Sequence, residues 1–318
     1  MSRLHAMLKR QIDNGSLFAV LAALGFSFKA IFVKLAYTAA AVDAITLLAM
    51  RMALALPLFV WLLWLSQRQG GERLTVADGL RVAVLGLLGY YLASWFDFYG
   101  LQYISAGLER LILFTYPTLV LLIQAVALRE RPTLRTMAAM GLCYVGLGIA
   151  FVHDVSSASA GQQIIVGSLW VFASAVTYAM YYCGTGMLLK RMGSMRLAGL
   201  CGTASSLMVL AHYLLVADAS QLAQLPAAVW ANAGLMAVFS TVLPIYWLAL
   251  AIQRLGPTQT AAVGNLGPVL TVLASWAILS EQISLYQVAG MALVLLGVTR
   301  LKPPAKKSAE AQAEAPAR

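Results

Sequence analysis

The sequence of 318 residues is 61% hydrophobic and only 11% charged, and its formal net charge is +10. A soluble chain carries about 25% charged residues, so this composition excludes an ordinary water-soluble globule and predicts a lipid environment. The basic charge does not indicate a nucleic-acid partner, because the Lys and Arg residues stand in short loops between apolar runs rather than in a stripe with interleaved aromatic residues.

Ten apolar runs follow one another along the chain, each close to the length of about 20 residues that crosses a bilayer as a helix. The short loops between them predict antiparallel packing of neighbouring helices. The chain is therefore predicted to be an all-α polytopic membrane protein. The runs are Gly15–Tyr37, Ala44–Ser66, Arg81–Gly100, Ile104–Leu128, Thr136–Val152, Ile165–Leu189, Leu197–Val216, Ala228–Ile252, Thr258–Leu279 and Leu285–Leu301.

The positions of the 22 Lys and Arg residues support this number of runs. If both termini are cytoplasmic, all of them fall in cytoplasmic segments except Lys29, Lys34, Arg51 and Arg110, which lie inside runs. The loops on the opposite side contain none. Because cytoplasmic loops carry an excess of Lys and Arg, the pattern predicts ten transmembrane helices in the inner membrane of a bacterium, with cytoplasmic N- and C-termini.

The second half of the sequence repeats features of the first half. Pro117 and Glu130 are followed 151 residues later by Pro268 and Glu281. Each half contains five runs, an odd number, so the second half enters the membrane from the opposite side and the two repeats are predicted to be inverted. The predicted units are a cytoplasmic N-terminus (1–14), a first five-helix repeat (15–152), a periplasmic linker (153–164), a second five-helix repeat (165–301) and a disordered cytoplasmic tail (302–318).

Several of these segments resemble the EamA-type family of the drug/metabolite transporter superfamily. Residues 23–30 (ALGFSFKA) and 51–55 (RMALA) are similar to the first two helices of that family. The stretch 103–130 around Pro117, followed by Gly141 and Gly148, is similar to its fourth and fifth helices. The resemblance implies ten helices, inverted five-helix repeats and movement of metabolites such as amino acids, usually outward. The pair Glu109 and Arg110 departs from the general pattern of the superfamily.

Five charged residues inside the runs are functional candidates, because an unpaired charge in the membrane is costly. Lys29, Arg51, Asp97, Glu109 and Arg110 are all predicted about 5 to 10 Å below the outer edge of their helices, from a rise of 1.5 Å per residue. One interpretation is a vestibule that binds a substrate carboxylate. The alternatives are structural ion pairs, with Lys29 or Arg51 facing Glu109 as the first choice, and side chains that extend outward to water.

Pro117 and Pro268 stand near the middle of equivalent runs. A mid-helix proline removes a backbone hydrogen bond and bends the helix, and paired interruptions in the two halves point to a binding site at the midplane. Tyr116 and Asn265 adjoin them, and Tyr181 reaches midplane depth. A packing kink without a site is the alternative. The candidate substrate-binding residues are Lys29, Arg51, Glu109, Arg110, Tyr116, Pro117, Tyr181, Asn265 and Pro268.

The sequence contains no catalytic constellation, no spacing of metal ligands and no phosphate-binding loop, so we expect no enzyme activity, cofactor or metal. The predicted function is a secondary-active transporter that exports small metabolites by alternating access. Its predicted partners are a small-molecule substrate and the lipid bilayer, without nucleic acid, and homo-oligomer formation is left open. The alternative function is a lipid-carrier flippase subunit or a membrane assembly factor without independent solute transport.

Gly25 and Gly148 are interpreted as helix-packing contacts.

Overall fold

The structure is a computed structural model that describes residues 2–67, 74–129, 132–157, 161–217, 219–255, 260 and 263–301. Within these ranges the regular elements are all helical, as predicted. The predicted tail 302–318 lies outside the described residues. The helices are α1 (Ser2–Ser27), α2 (Lys29–Ala39), α3 (Ala44–Gln67), α4 (Val76–Gly86), α5 (Ala93–Gly100), α6 (Ala106–Leu113), α7 (Tyr116–Leu128), α8 (Leu134–Ser157), α9 (Gly161–Met192), α10 (Ser194–Val216), α11 (Ala227–Ala237), α12 (Leu243–Leu255), α13 (Gly267–Leu279) and α14 (Leu285–Arg300).

Eight spans in the described chain are long and apolar enough to cross a membrane. We number them one to eight: Gly15–Ala39, Ala44–Ser66, Val76–Gly100, Ala106–Ala127, Leu134–Ser156, Gly161–Thr185, Ser194–Val216 and Ala227–Ala251. The helices α13 and α14 are also apolar but shorter, and they occupy the places of the ninth and tenth predicted runs. The start of the predicted ninth run, Thr258–Leu279, falls partly outside the described residues.

The third span begins at Val76, earlier than the predicted start at Arg81. A capping box explains the difference, because the Thr75 hydroxyl accepts a hydrogen bond from the Asp78 backbone N–H at 3.2 Å and the Asp78 carboxylate accepts one from the Thr75 N–H at 2.9 Å. These bonds satisfy amide groups that the first turn of a helix leaves open. The first turn of span three is therefore helical although it contains the charged residue Asp78.

Equivalent helices of the two halves contact each other in antiparallel fashion. At the start of span four, the Ala106 N–H donates to Glu281 Oε1, beyond the end of α13, at 3.1 Å. Further along, Arg110 Nε donates to Thr271 Oγ1 at 2.9 Å. The residue numbers rise along span four while those of its partner fall, so the two helices run in opposite directions.

Spans two and seven are packed in the same way. Gly199 lies against Leu63, and Gly202 lies against the ring of Phe59. Spans one and eight also pack together, as do spans three and six. Span one corresponds to span six in the other half, and span eight corresponds to span three. The two pairs are therefore equivalent contacts, and the pattern of contacts is the same for both halves.

Glycines allow the closest of these approaches. A Cβ atom added to Gly25 would lie 2.3 Å from Pro244 Cγ, so the predicted packing role of Gly25 is confirmed. The prediction for Gly148 is wrong, because a Cβ there meets nothing within 4 Å. Two residues earlier on the same helix, a Cβ on Gly146 would lie 2.5 Å from the carbonyl oxygen of Gly290. Gly146 and Gly290 therefore join span five to α14.

We expect Gly146→Ala to destabilise the protein by about 1–3 kcal/mol, because the added methyl group overpacks the contact with the Gly290 backbone. Gly148→Ala is the matched control on the same helix, and it should be neutral or slightly stabilising because Ala is the better helix former. Thermal unfolding of both purified variants in one detergent measures the difference. Equal stability of the two would contradict the assigned contact.

Candidate functional site

Span one is interrupted near its middle. The helix α1 ends at Ser27 and α2 begins at Lys29, with Phe28 in a turn between them. At this break, side chains of other helices donate hydrogen bonds to backbone carbonyls: Arg110 Nη2 to Phe26 and Thr271 Oγ1 to Ser27, the latter at 3.1 Å. Within a membrane an irregular backbone is tolerated only where protein or water satisfies its polar groups. The break is therefore stabilised from span four and from α13.

The same contacts connect the two halves of the chain. Arg110 belongs to α6 in the first half, and its Nε atom donates to Thr271 of α13 in the second half at 2.9 Å. The Ser27 hydroxyl donates in turn to the Gly267 carbonyl, at the start of α13, at 3.0 Å. Ser27 and Thr271 are fully buried. The interruption of span one thus lies directly against the beginning of α13.

A buried cluster of three charged side chains follows the break; we call Lys29, Asp97 and Glu109 the Lys29 cluster. Lys29 Nζ lies 2.7 Å from Asp97 Oδ2 and 3.3 Å from Glu109 Oε1. The Lys29 side chain is 18% exposed, whereas those of Asp97 and Glu109 are 1% and 0% exposed. The expected contact between Lys29 and Glu109 is confirmed, and Asp97 forms a second and shorter one.

The cluster places two carboxylates around one ammonium group. The other two carboxylate oxygens, Asp97 Oδ1 and Glu109 Oε2, are buried and have no hydrogen-bond partner in the part of the chain that the structure describes. Buried polar groups are nearly always satisfied, so each exception in a structure needs an explanation. Lys29 neutralises one of the two negative charges, and the second has no partner of its own within the cluster.

Arg51 lies beside the cluster but forms no ion pair among the described residues. It is 3% exposed, and its Nη2 atom donates to Ser94 Oγ at 3.0 Å. Its guanidinium group also lies 5.0 Å from the centre of the Phe98 ring. Ser94 and Phe98 stand on either side of Asp97 along span three. Arg51 thus adds positive charge near Asp97, whereas the alternative pairing of Arg51 with Glu109 is not formed.

Pro117 and Pro268 do not kink continuous helices, as the sequence had suggested; they stand where helices restart. Span four is interrupted at 114–115, and Pro117 lies in the first turn of α7. Pro268 is the second residue of α13, which begins at Gly267 directly after Asn265 and Leu266. The first turn of a helix accepts proline readily because its N–H groups have no partner within the helix. At these equivalent positions the two halves therefore share a point where a helix restarts, not a bend within a continuous helix.

Five tyrosines form a second group, which we call the tyrosine cluster: Tyr90, Tyr116, Tyr178, Tyr181 and Tyr182. The ring centroids of Tyr116 and Tyr178 are 5.2 Å apart, and those of Tyr116 and Tyr182 are 5.4 Å apart. Tyr181 lies 5.5 Å from Tyr90 and 5.8 Å from Tyr178. All five rings are at least partly accessible, and Tyr182 is 45% exposed. The predicted site residues Tyr116 and Tyr181 are therefore brought together through Tyr178.

A local distortion of span three makes room for this cluster. Residues Leu87–Leu92 form a π-helical segment, and a Cβ atom on Gly89 within it would lie 2.3 Å from Tyr181 Cγ. A second π-helical segment, Val238–Val242, occupies the equivalent place in span eight. Single π-helical turns are frequent at functional sites. Glycine at this position allows the Tyr181 ring to lie directly on the backbone of span three.

The structure divides the nine predicted site residues into two groups. Lys29, Glu109 and Arg110 meet at the break in span one, with Arg51 next to them, whereas Tyr116, Pro117 and Tyr181 belong to the region of the tyrosine cluster. Pro268 and Asn265 stand at the start of α13, beside the break. Glu109 and Tyr116 are separated by about two helical turns, roughly 10 Å along span four. Span four therefore carries residues of both groups.

Comparison with known proteins identifies the family. The sequence model of the EamA-like transporter family matches residues 13–152 and again residues 165–301. The chain belongs to the EamA-like transporter family. This EamA-like protein is accordingly a multi-pass membrane protein with a transporter role. The two matched segments also correspond to the two halves that contain the equivalent helices described above.

Curated relatives of this EamA-like protein are also named as transporters. It is 28% identical over 300 residues to "Uncharacterized transporter YcbK" of Bacillus subtilis, covering 92% of this chain and 94% of the relative. It is 26% identical to an "Uncharacterized transporter" of Archaeoglobus fulgidus, covering 84% and 91%. One solved crystal structure of a protein matches with a TM-score of 0.63 at 19% identity, covering 93% of this chain and 98% of that chain, which shows the fold.

Three residues of the site were not among the predicted binding residues. Asp97 stood out in the sequence as a charge inside an apolar run, but it was not included in the binding set. Ser27 and Thr271 carried no signal, because a hydroxyl group in an apolar helix commonly bonds to the carbonyl of its own preceding turn. Both do form such bonds, to Ala23 and Gly267, and they contact the other half as well. Only the packing of the helices reveals the second contact.

Proposed function

We propose that this EamA-like protein is a secondary-active transporter that exports small polar or amphipathic metabolites, such as amino acids or related compounds, by alternating access. The observation that carries the proposal is the charged cluster at the interrupted span one, which Arg110 and Thr271 connect to the opposite half. Charged residues inside spans mark ion and substrate pathways, and interrupted helices at the boundary of two repeats are typical of transporter binding sites.

The proposal includes ten membrane-crossing helices in two inverted repeats, with α13 and α14 as the ninth and tenth. The repeats are 15–152 and 165–301, joined by a periplasmic linker at 153–164. The antiparallel contact of spans four and nine, and of spans two and seven, supports this arrangement, because equivalent helices of parallel repeats would run in the same direction. Such repeats allow one half to rock against the other around a fixed site.

Reporter fusions test the proposed topology in a bacterial inner membrane. A fusion after Gly193, between spans six and seven, should report a cytoplasmic position, because Lys190, Arg191 and Arg196 surround it. A fusion after Ala40 should report the periplasm. A periplasmic signal at Gly193 would contradict the inverted arrangement and the cytoplasmic location of both termini.

For the substrate, we propose that the tyrosine cluster receives the apolar part and Arg110 the carboxylate. Tyrosine rings combine a large apolar surface with a hydroxyl group that forms hydrogen bonds, so they suit an amphipathic molecule. The guanidinium group of Arg is planar and binds carboxylates in a two-pronged geometry. Arg110 holds two protein acceptors in the state described, the Phe26 carbonyl and the Thr271 hydroxyl, and a carboxylate would replace them when the site opens.

Two experiments test this function. A growth screen of an overexpressing strain against toxic amino-acid analogues should give resistance to one class of compound, which identifies the substrate. Counterflow of that compound in proteoliposomes should then require the purified protein. A protein that confers no resistance and supports no counterflow, but that accelerates the transbilayer movement of a labelled lipid carrier, would instead favour the flippase alternative.

A further inference from the structure

We infer that Asp97 and Glu109 form a proton-binding site whose occupancy alternates with that of the Lys29 ammonium group, and that this site couples solute export to proton entry. The inference rests on the proposed transport function and adds its coupling ion. One carboxylate takes up a proton from the outer side when Lys29 withdraws. It releases the same proton to the cytoplasm when Lys29 returns, so no bond other than O–H is made or broken.

The first support is the stoichiometry of the buried charges. The carboxylates of Asp97 and Glu109 are 1% and 0% exposed, and both contact the same ammonium group. A structural ion pair needs one carboxylate for one ammonium group. Arg51 and Arg110 add positive charge nearby, but among the described residues neither forms an ion pair with these carboxylates. The second carboxylate therefore lacks a cation of its own in direct contact and can bind a proton, since two like charges in contact inside a protein do not both ionise readily.

The second support is the pair of unsatisfied oxygens. Asp97 Oδ1 and Glu109 Oε2 are buried and lack a hydrogen-bond partner among the described residues. A protonated carboxyl group becomes a donor, so a single proton placed between two neighbouring carboxylates satisfies one oxygen of each. An unpartnered buried acceptor is costly, and a proton taken up when Lys29 withdraws removes this cost.

Two arginines lie near the cluster without forming an ion pair with its carboxylates among the described residues. Arg110 donates to Phe26 and Thr271, and Arg51 donates to Ser94. Further charged groups on the adjoining elements are Lys34 on α2, Asp43 at the start of α3, Asp154 beside His153 at the end of α8, where it accepts from Gln287, and Glu281 after α13, where it accepts from Ala106. The Tyr37 hydroxyl on α2 donates to the Phe98 carbonyl. Within the described chain, Lys29 is thus the cation in direct contact with both carboxylates.

The third support is the location of Lys29. It is the first residue of α2, immediately after the break at Phe28, and its side chain is 18% exposed. Because α2 carries the ammonium group whereas spans three and four carry the carboxylates, a change in the angle between α1 and α2 would move the ammonium group relative to both carboxylates. The same break is held by Arg110 and Thr271 from the substrate side. Substrate binding and the position of Lys29 are therefore mechanically connected.

Infrared difference spectroscopy of the purified protein in proteoliposomes tests the proton site without a substrate. Spectra recorded at acidic and alkaline pH should differ by the carbonyl stretch of a buried protonated carboxyl group, and the band should shift in heavy water. Asp97→Asn and Glu109→Gln should each remove or displace this band. Asp43→Asn is the control, because Asp43 is an exposed carboxylate that caps α3, and it should leave the band unchanged.

Absence of a titrating band in the wild type, or its persistence in both Asp97→Asn and Glu109→Gln, would overturn the proton site.

A transport experiment tests the coupling, and it uses the compound identified by the growth screen. An imposed inward proton gradient should accelerate its export by the wild type, and the ratio of export with the gradient to export without it should fall to about one in Glu109→Gln, whatever the counterflow rate of that variant. Counterflow that ignores the gradient in the wild type would refute coupling but leave the transporter assignment intact. Absence of all counterflow would refute the transporter assignment, and the infrared band would still decide the proton site.

Discussion

Lys29→Met should lower the free energy of unfolding by about 3–5 kcal/mol, the loss that follows when one partner of a buried ion pair is removed. The reason lies in the burial of the other two members of the Lys29 cluster. Asp97 and Glu109 are 1% and 0% exposed, and Lys29 Nζ contacts both, at 2.7 Å and 3.3 Å. Methionine fills a similar volume, so the loss reports the missing charge rather than a cavity.

Thermal unfolding in detergent measures this loss, and Lys34→Met is the matched control. Lys34 stands on the same helix, is partly buried, and forms no ion pair among the described residues, so its replacement should change stability far less. Adding Asp97→Asn and Glu109→Gln to Lys29→Met should restore much of the lost stability, because no buried charge of the cluster then lacks a partner. If Lys29→Met is as stable as Lys34→Met, the cluster does not stabilise the fold.

The sequence predicts most of the helices because the membrane imposes a simple rule. Each crossing needs a long apolar run, and the basic residues between the runs report their orientation. The same rule identifies the members of the Lys29 cluster, since a charge inside an apolar run stands out. The residue numbers of Lys29 and Glu109 do not reveal their contact, but long side chains at similar depth on neighbouring helices made the pair a reasonable expectation.

The interruptions of the helices are less accessible from the sequence. The sequence does not reveal that span one breaks at Phe28. Ser27 and Lys29 flank this residue, but a serine or a lysine inside an apolar run is also compatible with a continuous helix. The break depends on Arg110 and Thr271, which approach from other helices. The two glycines of span five show the same limit: Gly146 contacts the backbone of α14 and Gly148 does not, although both are small residues in one apolar helix. Only the rotation of the helix separates them.

Arg110→Lys should reduce counterflow of the substrate by about tenfold or more while the protein still folds. The structure assigns two different acceptors to the guanidinium group: Nε donates to Thr271 Oγ1 at 2.9 Å, and Nη2 donates to the Phe26 carbonyl at the break in span one. A lysine keeps the positive charge but lacks the rigid fork that reaches both. A hydrogen bond to a charged group contributes about 1.5–3 kcal/mol, and 1.4 kcal/mol corresponds to a factor of ten.

The control for this variant is Arg254→Lys, which makes the same replacement at an exposed position of α12, where the guanidinium group lies 4.6 Å from the Phe18 ring. Its counterflow should stay near that of the wild type. Thr271→Val is a second probe, because it removes the acceptor of Arg110 and the donor to Ser27 while it preserves the shape of the side chain. It should lower transport in the same direction as Arg110→Lys. Wild-type counterflow in Arg110→Lys would mean that the connection between span one and α13 is structural only, and the substrate carboxylate would then have to bind elsewhere.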